Sequence, residues 1–230
     1  MSENPFDNRA RAQAHAESGA MPAIDVKDSA VEYLKQVYAL LAASLVMAVA
    51  SGYVGMYTPF AFEHPILLLV IEVGVFFLAL KIKNTPTLFL FAAISGFTIG
   101  PVIAVYVGSG LSGVVGQAMS LTAAIFVGMT FYAMTTRRDL SMMGTFLFAG
   151  LIVLLVGSLL NMFFHSSAMG FALSAAGALI FSLYIAWETQ SLKENPWAVK
   201  PQEAALSMYL NVINLFLSLL RLLGILGSDD

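Results

Sequence analysis

The chain has 230 residues, of which 59% are hydrophobic and 11% charged, with a mean hydropathy of +0.82 and a net charge of −3. A soluble domain carries about 25% charged residues, so a water-soluble fold of this size is excluded and the polypeptide is read as an all-α integral membrane protein with the lipid bilayer as its solvent. Cysteine is absent, which removes disulfides, thiolate metal sites and a cysteine nucleophile, and no basic cluster with stacking aromatics points to nucleic acid.

Residues 1–32 are polar and rich in Ala, Asn, Asp and Glu, without the apolar core of a signal peptide. They are expected to form a disordered cytoplasmic tail, because so little apolar surface does not offset the entropy of ordering, with a helix setting in from about Asp28. Seven apolar segments follow, at 33–57, 65–80, 88–107, 114–134, 142–164, 169–187 and 203–226. Most reach the roughly 20 residues that a helix needs to cross the hydrocarbon core. The expectation is a seven-transmembrane helix domain over 33–227, followed by a short outer-face tail at 228–230. The second segment is the shortest; it starts at Pro65, or earlier near Ala61, and contains Glu72. The runs are too long and too evenly apolar for the alternating strands of a barrel.

The loops set the orientation. Lys and Arg occur in the leading tail (Arg9, Arg11, Lys27), around Asn84 (Lys81, Lys83), before the fifth segment (Arg137, Arg138) and before the seventh (Lys193, Lys200). The intervening loops, Thr58 to His64, Gly108 to Gly113 and His165 to Ala168, have none. Since cytoplasmic loops retain basic residues, the N-terminus is expected on the cytoplasmic side and, after seven crossings, the C-terminus on the opposite, outer face. Arg221 is the exception, inside the last segment; it either snorkels to the outer headgroups or pairs with Asp229 or Asp230. Gly96 and Gly100, followed by Pro101, form a G-x-x-x-G that permits close helix packing inside the bundle, and Gly52, Gly55, Gly150, Gly157 and Gly177 suit the same role.

No catalytic motif is present: there is neither H-E-x-x-H nor G-x-S-x-G. The three histidines, His15, His64 and His165, are dispersed and read as solvated loop residues, so neither an enzyme nor a bound cofactor is expected. What remains is a set of polar groups in apolar helices: Glu72, Asn161, Glu188, Asn211 and Asn214. A carboxylic acid in lipid is neutral, paired or in contact with water, because an isolated charge there is expensive. Asn211 lies eight residues or so into the seventh segment, about 12 Å from its start, and an antiparallel packing of the last two helices would let Glu188 approach it. Two readings stay open. The asparagines act as interhelical glue with Glu188 solvated at the membrane edge, or Glu188, Asn211 and Glu72 sense protons or cations.

Three stretches carry a resemblance: Arg137 to Ser141 (RRDLS) with Gly144, Tyr184 to Gln190 (YIAWETQ), and Leu206 to Gly224 (LSMYLNVINLFLSLLRLLG). Across about residues 31–227 the chain resembles the Bax inhibitor-1 family, the transmembrane Bax inhibitor motif proteins. The resemblance implies a seven-helix bundle. Channel-like members carry aspartates at the places of Glu188 and Asn211, a pair held to share a proton and gate a pH-sensitive calcium leak. Here the first is Glu and the second a neutral amide, and one carboxylate cannot form a like-charge couple. The run TTRRDLSMMG, the ETQ helix end and the short tail look closer to the bacterial branch that modulates the FtsH membrane protease. That branch implies an inhibitor and slow substrate of the ATP-dependent enzyme, with the leading tail as the segment the protease engages.

Overall fold

The computed structural model describes residues 23–227, with side chains from Ser29 onward. They form eight helices and no strands: α1 (Ala23–Tyr57), α2 (Pro59–Glu63), α3 (Pro65–Ile82), α4 (Thr85–Gly108), α5 (Ser112–Thr135), α6 (Met143–Phe164), α7 (Ser167–Glu194) and α8 (Pro201–Gly227). Seven of these, all except α2, are long and apolar enough to span a bilayer. The protein is a polytopic all-helical bundle, as composition and hydropathy require.

Local chemistry sets most boundaries. His64 is followed by Pro65 at the first position of α3, where a missing N–H costs nothing. This break separates the turn α2 from α3, so the second span starts at Pro65 and is not continuous from Ala61. Lys83 ends α3 in the left-handed region at φ 53°, and Asn84 caps α4 by accepting the Thr87 N–H at 3.0 Å. Two boundaries lie beyond the expected ones. Helix α1 starts at Ala23, so residues 23–32 are helical; the rest of the expected tail, residues 1–22, lies outside the described residues, as do His15 and residues 228–230. The early turns of α1 are held from outside the span: Tyr33 Oη donates to Val199 O (3.2 Å) and Trp197 Nε1 donates to Ser29 Oγ (2.8 Å). Helix α7 runs through to Glu194, seven residues past the expected end at Trp187.

The last helix is the centre of the bundle. It packs against α7, α1, α5 and α4. One apolar cluster joins Tyr33, Val37, Leu41, Leu88, Phe91, Met208 and Tyr209; another joins Val115, Ala118, Ile185, Leu215, Leu219 and Leu220. By contrast α3 and α6 are peripheral: in each, 11% of the apolar span is buried in protein, against 39% in α4 and α8. Their exposed surface is mostly apolar, with Lys81 near one end of α3 and Thr145 and Ser158 on α6 as exceptions.

The most extensive contact, α1 on α4, depends on missing side chains. A Cβ placed on Gly96 would lie 2.2 Å from Ala48 O, and one on Gly100 would lie 2.6 Å from Gly52 O. Gly55 lies as closely on Phe97 O, where a Cβ would approach to 2.4 Å. That carbonyl is the one from which Pro101, lacking an N–H, withholds the usual i+4 bond. The G-x-x-x-G of α4 is therefore an internal packing device, matched by Gly52 and Gly55 across the interface.

Candidate functional site

Glu188, Thr189 and Gln190 are consecutive on α7, and a helix turns about 100° per residue, so the three side chains leave in three directions. All are buried, with Glu188 7% exposed. Glu188 faces α8, where Asn211 Nδ2 donates to its Oε2 at 2.6 Å. Thr189 faces α1, its Oγ1 3.1 Å from Tyr38 Oη. Gln190 faces the 136–142 loop, where its Oε1 accepts from Leu140 N (2.7 Å) and its Nε2 donates to Arg138 O (2.8 Å). One polar triplet thus ties α7 to three neighbours. Each bond satisfies a group that lipid could not.

Glu188 is therefore not solvated at the membrane edge. The continuation of α7 to Glu194 carries it into the bundle, and packing against α8 encloses it. Asn211 is 7% exposed and equally enclosed, and the Ser207 hydroxyl also faces the carboxyl. The structure brings two of the three sequence candidates together. The third stands apart: Glu72 is half-buried on α3, facing the Ser95 and Thr98 hydroxyls of α4. Ser95 in turn faces the Tyr209 phenol, two residues before Asn211. The remaining asparagines satisfy their own surroundings. Asn214 Nδ2 donates to Leu210 O within α8 (2.7 Å), and Asn161 Oδ1 accepts from Ser166 N at the α6–α7 turn (3.1 Å). Neither bridges two spans through these bonds.

Chemically, the Glu188–Asn211 pair holds a single titratable group. An amide N–H donates to a carboxyl oxygen whether or not the acid carries its proton, so no like-charge coupling arises between the two positions. Among the described residues no three His, Asp or Glu side chains gather as a metal set. His64 stacks on Phe60 and His165 Nδ1 lies 3.1 Å from Phe163 O.

Single-residue reasoning missed the bracing of one end of the bundle. Lys83 pairs with Glu203 (2.9 Å), Lys193 Nζ donates to Met134 O (2.8 Å), and Gln190 holds the Arg138–Leu140 backbone. In the same loop Ser141 N donates to Asp139 Oδ1 (2.8 Å), and Ser141 holds that carboxyl below the usual carboxylate range. The sequence signal was three adjacent polar residues in an otherwise apolar helix. Gln190→Ala leaves the buried Leu140 N–H without its acceptor, at an expected cost of about 1–3 kcal/mol. Amide hydrogen exchange checks this: Leu140 protection is expected to fall sharply in the variant, and unchanged protection would show that Gln190 is not the clamp.

A family model described as inhibitor of apoptosis-promoting Bax1 matches residues 30–228. The chain is 32% identical over 200 residues to the "Modulator of FtsH protease YccA" of Escherichia coli K12, covering 85% of this chain and 91% of that one. The corresponding sequence of E. coli O6:H1, named "Inner membrane protein YccA", matches to the same extent. "Protein lifeguard 4" of Mus musculus is 32% identical over 206 residues, covering 83% of this chain and 84% of its own. With the model spanning the whole bundle, the chain belongs to the Bax inhibitor-1 family.

Proposed function

We propose that this protein binds an FtsH-type ATP-dependent protease in the bacterial inner membrane, restrains its proteolysis of membrane proteins, and is itself a slow substrate. The observation that carries the reading is the 32% identity to the E. coli modulator over 85% of the chain. The bracing of the basic end supports it physically. An unfoldase pulling on the leading segment must first release Trp197 from Ser29 and Tyr33 from Val199. Such a bundle resists extraction and occupies the enzyme. In this proposal the N-terminus is cytoplasmic and the C-terminus faces outward, following the alternation of Lys and Arg between loops.

Residues 2–20 are the segment the protease would grip. Their deletion is expected to prolong the half-life of the protein in cells several-fold, while crosslinking from membranes still captures the protease on the bundle. An unchanged half-life would remove the tail from the proposal, and a crosslinked sample without protease would remove the partnership.

A second reading is a pH-sensitive leak for calcium or another cation, controlled by Glu188 with Glu72 along the path. Its motive is the enclosed Glu188 carboxyl. Purified protein in liposomes would then pass calcium with a pH dependence abolished by Glu188→Gln; flux no greater than in empty liposomes at every pH dismisses it.

A further inference from the structure

Two adjoining cavities of about 710 and 820 Å³ open in the half of the bundle near the 109–111 and 165–166 turns. Both are lined by Tyr106, Ser158 and Arg221, so these three residues mark where one meets the other. The first runs between α6, α7 and α8, with Leu151, Leu154, Leu155 and Leu173 beside Ser174, Asn214 and Ser218. The second is bordered at the end of the bundle by Asn161, His165, Ser166 and Ser167. Together they make a space lined by polar and apolar side chains along its whole length, with an arginine at the junction.

Among the described residues, no carboxylate lining these cavities balances the charge at the junction. No Asp or Glu lines either cavity, and Arg221 is the single Lys or Arg that lines them. The guanidinium is exposed to this space, six residues before the end of α8 at Gly227, or about 9 Å along the helix. Tyr106 is set beside it by shape: a Cβ on Gly224, one turn beyond Arg221, would lie 2.7 Å from the Tyr106 hydroxyl. The second cavity also receives the N-terminus of the 28-residue α7, capped by Ser166 Oγ accepting from Met169 N (3.3 Å). Its dipole adds positive potential to that of Arg221.

We propose that this space binds an anionic membrane lipid, with the phosphate on Arg221 and Tyr106 and an acyl chain along Leu151, Leu154, Leu155 and Leu173. A guanidinium prefers a phosphate to a zwitterionic headgroup whose charge is already compensated. Each cavity lies within the roughly 300–1,000 Å³ range of ligand sites. The second cavity lies toward the ends of the helices and the first toward their middle, with the leucines of α6 along it, so a headgroup at Arg221 leaves its chain running along the bundle.

The test is titration of purified protein in neutral detergent with phosphatidylglycerol, with phosphatidylcholine and with inorganic phosphate, read by native mass spectrometry and by thermal unfolding. The expected result is one tightly held phosphatidylglycerol per chain. Its preference over phosphatidylcholine should be about tenfold or more, as a charge-assisted bond implies. Arg221→Gln is expected to erase the preference and Arg221→Lys to keep part of it. Ser158→Phe, at an exposed position on the junction, is expected to weaken phosphatidylglycerol binding while leaving the charge in place, and it serves if Arg221→Gln fails to fold. Equal retention of both lipids by the unaltered protein, or a preference that survives both substitutions, overturns the proposal. Inorganic phosphate competing as well as phosphatidylglycerol would also overturn it, by showing an anion site without a lipid.

Discussion

Gly96→Val is expected to abolish the folded bundle. The Cβ alone would come within 2.2 Å of Ala48 O and 2.6 Å of Ala48 Cα, and both atoms belong to the backbone of α1. No rotamer relieves such a clash; α1 and α4 would have to separate, and with them the most extensive helix contact in the molecule. Overpacking a core with a side chain that neighbours can accommodate costs about 1–3 kcal/mol. Here the obstacle is main chain, so at least about 3 kcal/mol is expected, a large part of a typical stability of about 5–15 kcal/mol. The internal control is Gly128 of α5, where nothing lies within 4 Å of the added Cβ. Gly128→Ala is expected to be neutral or to stabilise by up to about 1 kcal/mol, as alanine does in a helix interior. Thermal unfolding and monomer recovery in detergent distinguish the two. Wild-type recovery of Gly96→Val would mean that α1 and α4 do not cross at this glycine.

The second large effect concerns the enclosed acid. Asn211→Leu removes the donor at 2.6 Å from Glu188 and leaves a carboxyl 7% exposed with the Ser207 hydroxyl as its remaining polar neighbour. Two magnitudes compete. Interhelical hydrogen bonds in membranes average about 0.6 kcal/mol, reaching about 1.7 kcal/mol, because the unfolded reference also finds partners. Stranding a buried polar group costs about 1–3 kcal/mol, and more if it is charged. The second governs the single substitution, moderated by the Ser207 hydroxyl that stays, so about 1–2 kcal/mol is expected for Asn211→Leu. The first governs the pair, so Glu188→Leu combined with Asn211→Leu should recover much of that loss. A double-mutant cycle of unfolding in bilayers measures the difference. Strict additivity would show that Glu188 and Asn211 are not coupled.

The sequence and the structure part company at identifiable residues. Seven apolar segments and the alternation of Lys and Arg between loops were legible because lipid imposes length and polarity on the chain directly. The glycines of α4 were legible as packing residues; their partners, Gly52 and Gly55, became specific only once α1 lay across them. The depth of Glu188 was not legible. A Glu-Thr-Gln run after an apolar stretch reads as a helix leaving the membrane, yet α7 continues because each of the three polar groups meets a partner on a different neighbour. The start of α1 was placed late for a similar reason, since Ser29 and Tyr33 are held by Trp197 and Val199, which lie more than 160 positions away in sequence. The approach of Asn211 to Glu188 was foreseeable from antiparallel packing of the last two helices, whereas the isolation of Glu72 on a peripheral helix was not.

Restraint of a membrane protease by this bundle is measured most directly in proteoliposomes that contain a purified FtsH-type protease, ATP and a membrane-protein substrate, with and without an equimolar amount of the protein. The predicted result is slower loss of the substrate, together with much slower loss of the added protein itself. An undiminished rate of substrate degradation at saturating amounts would contradict it.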